Sequence, residues 1–344
     1  MVKRVVIVGG GAAGMQTALE LKSRGIEPII VERDIELGGK ARGWHKLFPT
    51  FTPAKEVLNE IVDRVKQARI RCFLGQEVKH ISSDGVTLRS DERILADAVV
   101  IATGFTLFDA HRKQEYGYGL YDNVITSVDL ERMMNGGKVT LADGSEPRRI
   151  AILHCVGSRD EKVGQRHCSK VCCITGVKQA IELKQLFPDA EIFNFYMDIR
   201  MFGAGYEELY REAQERYNIH FVRGRISEAA ETINKRIQIK AEDTLTGRPL
   251  RMTIDMLVLL VGMSANYENS ELAASAGLSL APNGYFRARN PFLGAVHSER
   301  EGIFFAGAAT APKSLADTLA EASLTASAVD EYLRNKFEEA LSWE

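Results

Sequence analysis

Four of the five cysteines in this 344-residue chain fall between His154 and Ala180: Cys155, Cys168, Cys172 and Cys173. The fifth, Cys72, stands alone upstream and reads as a buried, inert thiol. Thiolates are nucleophiles, redox partners and soft metal ligands, so this density points to metal or redox chemistry. On a helix, Cys168 and Cys172 would share one face, with Cys173 about 100° further round the turn. Cys155 follows the apolar run Arg149 to Leu153, which reads as a strand, and a loop of twelve residues separates it from Cys168. Four converging thiolates suit a [4Fe-4S] cluster or Zn²⁺. The adjacent pair Cys172-Cys173 fits a bulky cluster better than a single tetrahedral ion. Inert thiols, a disulfide and structural zinc remain open on spacing alone. His154, Arg159, Lys162, Arg166, His167, Lys170 and Lys178 are placed to offset the negative charge of a thiolate site.

A second candidate site opens the chain. Gly9, Gly11 and Gly14 form G-x-G-x-x-G between an apolar strand, Val2 to Val8, and a helix, Ala12 to Arg24, with Ala12 and Ala13 inside the turn. Such glycines permit a tight turn and bring a pyrophosphate against the backbone amides at a helix N-terminus. A second strand, Glu27 to Val31, ends in Glu32 with Arg33 beside it, where a carboxylate can bind a ribose diol.

The elements that must position these residues alternate strand and helix, which predicts an α/β fold. The segment Pro53 to Gln67 shows one apolar helical face, and Val78 to Ile81 with Gly85 to Leu88 reads as a hairpin. The second α/β unit begins at Ile150 to Leu153. Its following turn, His154 to Arg159, keeps only Gly157, so the phosphate cradle of a second fingerprint is missing. The cysteine helix runs on to about Leu186. Strands at Ala190 to Tyr196 and Ile219 to Val222, a helix at Tyr206 to Tyr217, and a strand pair, Ile226 to Ile239 and Arg251 to Val261, complete the unit. The net charge of −2 and the lack of a basic stripe argue against nucleic acid. The longest apolar runs, such as Met256 to Met263, are too short for a membrane span. The basic, apolar start superficially resembles a signal peptide, but three consecutive glycines break it and no convincing cleavage site follows, so a cytoplasmic location is expected.

Three further segments carry a resemblance. Leu37-Gly38-Gly39-Lys40-Ala41, Ala102-Thr103-Gly104 after the strand Ala98 to Ile101, and Gly302 to Ala309 (GIFFAGAA) resemble the two-dinucleotide-binding-domain flavoproteins, which are thioredoxin-reductase-like. The resemblance implies FAD held by these segments, with Val78, Gly307, Ala308, Lys313, Ser314 and Leu315 also near the cofactor. Ala308 stands where the family usually has a ribitol-binding acid. A helix from Leu315 to Leu333 would turn its N-terminus toward the flavin; Trp44 and His45, just after the LGGKA element, read equally as flavin neighbours or as surface residues. The implied architecture is a Rossmann-type FAD domain, residues 1–112 and 290–344, interrupted by an α/β domain, 113–289, that carries an iron-sulfur cluster in place of a nicotinamide site.

The motifs C-V-G-S-R and C-S-x-V-C-C, followed by a lysine five residues on, resemble the flavoprotein A subunits of heterodisulfide reductases. That resemblance implies Cys155, Cys168, Cys172 and Cys173 as [4Fe-4S] ligands and Lys178 near flavin N5. The sequence has no C-x2-C-x2-C-x3-C-P ferredoxin motif, and so is more similar to the short A subunits of the heterodisulfide-reductase-like complex of sulfur oxidisers. The resemblance implies electron relay between flavin and cluster, B and C subunits as partners, and a homodimer. An NAD(P)H-dependent disulfide reductase using Cys172 and Cys173, and a zinc-stapled FAD scaffold, are the competing readings.

Overall fold

The structure is a computed structural model that describes residues 3–341, with side chains to residue 338. Val2 of the expected first strand and the outer ends of the expected FAD domain, residues 1–2 and 342–344, lie outside the described residues. The chain divides into two compact units. Unit 1 comprises Met1–Arg42, Lys55–Thr106 and Ser264–Glu344; unit 2 comprises Gly43–Ala54 and Leu107–Met263. Among the described residues no helix is long and apolar enough to cross a membrane.

Unit 1 is built on a parallel five-stranded sheet in the order Ile303–Phe305, Ala98–Ile101, Arg4–Val8, Glu27–Glu32, Arg71–Leu74. Its strands are near-continuous apolar runs because both faces are covered. The helix Ala12–Ser23 packs against the long helix Leu315–Leu341, whose buried Ala322, Ala326, Val329 and Leu333 lie on one stripe. Ser314 begins that helix: its hydroxyl accepts from Asp317 N–H at 3.1 Å, and its own N–H donates to the Asp317 carboxylate at 3.3 Å. A three-stranded antiparallel sheet, Val78–Ser82, Gly85–Leu88 and Arg93–Leu95, packs with the helix Asn269–Ala276. That helix belongs to unit 1, which therefore resumes at Ser264, well before residue 290.

Unit 2 repeats the plan with the parallel order Val124–Thr126, Met256–Val261, Arg149–Val156, Glu191–Tyr196, His220–Arg223. The strand pair read from the sequence at 226–261 resolves into three antiparallel strands, Ile226–Glu231, Ile237–Asp243 and Arg248–Ile254, before the chain enters the parallel sheet at Met256–Val261. Asp255 makes the break: its carboxylate accepts from Arg148 and Arg149 N–H, both at 2.9 Å. The helix Ser127–Asn135 starts on a capping box between Thr126 and Asp129.

The loop after the strand Arg149–Val156 is held by Asp160, only 3% exposed. Its carboxylate takes Lys113 Nζ at 2.8 Å and Arg225 Nη2 at 2.5 Å. Burial works against the charge, but these two cations hold the Asp160 carboxyl below its ordinary range. Asp160→Asn removes a carboxylate that Lys113 shares with Glu115 and that the partly exposed Arg225 also takes, and is expected to cost about 1–3 kcal/mol. Because the folded pKa lies below the unfolded one, Asp160's contribution is complete above about pH 4 and is lost as the pH falls through the folded value. Urea unfolding midpoints from pH 7 to pH 3 test this: the gap between wild type and variant should narrow with acid, and a constant gap would refute the assignment.

Candidate functional site

In unit 1 the glycine turn is crowded by backbone. Gly9 has φ +112°, and a Cβ there would stand 2.4 Å from the Ala102 carbonyl oxygen. A Cβ on Gly14 would stand 1.9 Å from the Gly9 oxygen. Gly11, the N-cap of the helix Ala12–Ser23, faces open space, so the first amides of that helix are approachable. Gly38 N–H donates to the Gly10 carbonyl at 2.8 Å, and Gly39 lies against Gly11. Gly307, with φ +67°, packs on Ala13 and Thr318. Four segments distant in sequence therefore meet at one helix start: Gly9 to Gly14, Gly38 to Gly39, Ala102 to Thr103, and Gly307 to Ala308.

The Glu32 carboxylate closes this turn, accepting from Gly10 N–H at 2.6 Å and Asp34 N–H at 2.9 Å. Lys313 Nζ donates to the Gly307 carbonyl at 2.8 Å and to the Thr310 hydroxyl at 2.7 Å, and pairs with Glu321 at 3.2 Å. Other residues named from the sequence are placed less directly. Arg33 is ion-paired with Glu268 at 3.0 Å, Lys40 is exposed, Gly104 has φ +70° with open space, and Val78 packs on the apolar core of the unit. Leu315 is half-buried at the start of the last helix. Open helix amides beside a crowded glycine turn, with a carboxylate at the second strand end, fit a dinucleotide such as FAD.

In unit 2 the strand Arg149–Val156 ends irregularly. Cys155 lies inside the strand with φ +61°, and the register with Met256–Val261 shifts between Leu153 and Val156. Arg159 and Lys170 also adopt left-handed conformations, with φ +55° and +62°. Three such non-glycine residues around one cysteine block mark a constrained site. The expected shared helical face of Cys168 and Cys172 is not formed, because the left-handed Lys170 delays the helix, which runs Cys172–Leu186. Cys168 lies in the preceding loop, half-buried, its sulfur accepting from Lys170 N–H at 3.4 Å.

Cys155, Cys172 and Cys173 form one buried cluster, with Met197 and Met201 packed on it. Cys173 is hydrogen-bonded to the Cys172 thiol and, despite burial, is pushed down to about 4, with His154 adding to the effect. A bond from Cys172 brings Cys155 to about 7, and Cys172, which keeps its proton between the two, is pushed up. His154 is 3% exposed with Nε2 2.8 Å from Asn194 Oδ1; burial opposes its charge, but Cys173 outweighs this and its pKa rises. Arg159 lies in the field of Cys155 and Cys168, and its buried Nη1 has no acceptor within the protein. Thiolates at a helix N-terminus, with a cation beside them and a donor left over, suit an anionic sulfur-ligated group. Among the described residues no three Cys, His, Asp or Glu side chains converge closely enough to hold a single metal ion.

The turn is also closed to a phosphate. A Cβ on Gly157 would stand 1.9 Å from Phe108, whose ring covers the backbone where an open cradle would need space. Cys72, in unit 1, is half-buried, its thiol donating to the Ile70 carbonyl at 3.5 Å, and burial raises its pKa.

Lys178 is 2% exposed. Its ammonium donates to Glu131 at 2.5 Å and to the Lys46 carbonyl at 3.1 Å, and pairs with Glu182 at 3.0 Å. Glu182 also meets His45 Nδ1 at 2.9 Å, while Glu131 accepts from His45 N–H at 2.6 Å and Gln179 at 2.7 Å. His45 and Lys178 are thus committed to one network inside unit 2. Sequence reading misses Glu131 and Glu182, although the i,i+4 spacing of Lys178 and Glu182 is a visible signal.

Residues 3–328 match the pyridine nucleotide-disulphide oxidoreductase family. The chain is 33% identical to the iron-sulfur A subunit of the CoB–CoM heterodisulfide reductase of Methanocaldococcus jannaschii, over 95% of this chain and 64% of that protein. It is 39% identical to the A subunit of the ferredoxin:CoB–CoM heterodisulfide reductase of Methanosarcina mazei, over 96% and 53%. The chain thus spans about two thirds or less of these curated relatives. Among solved structures, the fold resembles T. acidophilum thioredoxin reductase with TM-score 0.67 at 18% identity, covering 96% of this chain and 98% of that one.

Lys178→Met would strand two buried carboxylates and is expected to destabilise the protein by about 3–5 kcal/mol. Adding Glu131→Gln and Glu182→Gln should recover most of that loss. A triple variant as unstable as the single one in chemical unfolding would show that packing of the lysine stem, not charge compensation, is what Lys178 supplies.

Proposed function

The chain belongs to the pyridine nucleotide-disulphide oxidoreductase family, and from that membership we propose that it is an electron-transfer flavoprotein with FAD in unit 1 and a [4Fe-4S] cluster in unit 2. Its curated relatives are heterodisulfide reductase A subunits, which supports a place in a multi-subunit oxidoreductase. FAD, when bound, exchanges electrons in pairs, and a cluster passes them singly, so the two together suit a relay.

The observation that carries the reading is the burial of Cys155, Cys172 and Cys173 together at the start of a fifteen-residue helix, beyond a strand-end turn in which Phe108 lies over Gly157. Cys155, Cys172 and Cys173 are the inner ligands, and the half-buried Cys168 is the fourth, nearer the surface. Arg159 and His154 compensate the charge, with Asn194 fixing the imidazole. Gly9 to Gly14 and Glu32 hold the pyrophosphate and ribose ends of FAD, Gly38 to Lys40 and Ala102 to Gly104 line it, and Gly307 to Leu315 lie toward the flavin. With no spare cysteine pair outside the cluster, disulfide chemistry falls to a partner. We place the chain in a heterodisulfide-reductase-like complex of cytoplasmic sulfur oxidation, as a homodimer working with B and C subunits.

Anaerobically purified protein should contain about four iron and four acid-labile sulfide beside one FAD per chain. Cys173→Ser should abolish most of the iron and sulfide while FAD content stays unchanged. One zinc without sulfide in wild type would overturn the relay and leave a zinc-stapled FAD protein. Rapid flavin reduction by NAD(P)H alone, undiminished in Cys173→Ser, would instead favour a self-sufficient reductase.

A further inference from the structure

Building on the reading of unit 1 as the FAD-binding unit, we infer that residues 266–268 wall the adenosine half of that site. The Asn266 carboxamide, with the Thr103 hydroxyl beside it, hydrogen-bonds the adenosine, and Tyr267 offers its ring to the adenine. Asn266, Tyr267 and Glu268 belong to none of the glycine, strand-end or helix-start segments that carry the dinucleotide pattern.

Thr103 lies beside the glycine turn: its backbone nitrogen would stand 3.3 Å from a Cβ on Gly9. Asn266 is fastened to it, Nδ2 donating to the Thr103 carbonyl at 3.3 Å. Two residues on, Glu268 pairs with Arg33 at 3.0 Å, and the Tyr267 ring between them lies 6.0 Å from the same guanidinium. Arg33 directly follows Glu32, whose carboxylate accepts from Gly10 N–H. Three consecutive residues therefore reach from the glycine turn to the end of the second strand. A dinucleotide bound by this fold puts its pyrophosphate at the first place and its adenosine ribose at the second.

Hydrogen bonding points to a ligand here. Asn266 is 4% exposed, yet its Oδ1 has no partner among the described residues, and neither has the buried Thr103 Oγ1. A polar atom that gives up water without a replacement is costly, so such atoms are few in folded proteins. These two sit on either side of one contact, at the turn where the helix amides are open. Their chemistry selects the partner. Asn266 Oδ1 only accepts, so the group it meets must carry a hydrogen; ribose hydroxyls and the adenine amine do, and phosphate oxygens do not. The Thr103 hydroxyl both donates and accepts, and suits a ribose hydroxyl or a phosphate oxygen. Tyr267 is 71% exposed beside a guanidinium already committed to Glu268, which leaves an aromatic face for a purine.

The test uses the full chain with its flavin removed. FAD affinity is read from flavin fluorescence, ADP affinity from calorimetry, and apoprotein stability from urea unfolding. ADP carries the adenosine and the pyrophosphate without the flavin. Thr103→Val keeps the side-chain shape and removes only the hydroxyl. Because that hydroxyl has no partner in the protein, the urea midpoint should not fall, while Kd for FAD and for ADP should both rise about three- to tenfold. Asn266→Leu should weaken both ligands by about tenfold, and Tyr267→Ala by about fivefold. FAD and ADP must weaken together, because the lost contacts lie in the half they share. Unchanged FAD affinity in Thr103→Val and Asn266→Leu would show that water meets these atoms and would overturn the wall. FAD weakened with ADP unaffected, or a wild type that binds no ADP, would overturn it equally. A wild type that binds NADH but no FAD, and whose ADP affinity falls in Asn266→Leu, overturns the FAD reading alone. A wild type that binds FAD, with ADP affinity indifferent to all three substitutions, overturns the wall alone.

Discussion

Burying three thiols at the start of one helix is the constraint from which most of unit 2 follows. A sulfur anion removed from water is costly unless positive charge and donors replace the solvent. The helix Cys172–Leu186 supplies its N-terminal dipole, His154 an imidazole, and Arg159 a guanidinium. Each requirement propagates. His154 reaches the site only because residue 176 is glycine, where a Cβ would stand 2.7 Å from the ring nitrogen, and Asn194 on the neighbouring strand fixes the ring. Cys155, Arg159 and Lys170 hold left-handed backbone around the site, and the ion pairs of Asp160 and Asp198 hold the loop in that course.

The two units use one architecture to opposite ends. In each, a central parallel strand runs into a turn and then a helix, so amides gather at the helix start. In unit 1, Gly11 leaves that start open while Gly9 and Gly14 are crowded by backbone, a combination that accepts a phosphate. In unit 2, a long loop intervenes, Phe108 lies over Gly157, and cysteines take the first helical positions. A helix N-terminus that favours a ligand's anion in one unit favours the protein's own sulfur in the other.

This division is legible in the sequence because it rests on short-range patterns. The glycine spacing, the terminal Glu32, the absent second fingerprint and the cysteine block are all local, and the structure places the four FAD-type segments at one helix start. Three features are not legible. A spacing of four puts Cys168 and Cys172 on one helix face, yet one left-handed residue, Lys170, cuts the helix short, and nothing about a lysine announces that conformation. The strands at 226–261 merge in the sequence because a single residue separates Ile254 from Met256; that separator, Asp255, acts through hydrogen bonds to Arg148 and Arg149 more than a hundred residues away. Segment Gly43–Ala54 reads with the flavin domain because it follows the LGGKA element directly, whereas its partners lie on the helices Ser127–Asn135 and Cys172–Leu186. Long-range polar pairing leaves no periodicity to read.

The network that captures this segment also bears on Lys178. A buried ion cluster is weak evidence for stability, since desolvation offsets much of the Coulomb gain. What it fixes is pairing: Glu131 and Glu182 both take the Lys178 ammonium, and Glu182 also meets His45 Nδ1. Glu131 holds the backbone of His45 and Lys178 the backbone of Lys46, so misplacing the segment would leave several buried polar groups unpaired at once. Phe48 and Phe51 add apolar packing but could sit in many arrangements, whereas these directional bonds permit one. Lys178 is therefore understood first as the keystone of that arrangement, and any exchange with a bound cofactor must compete with all three of its present partners.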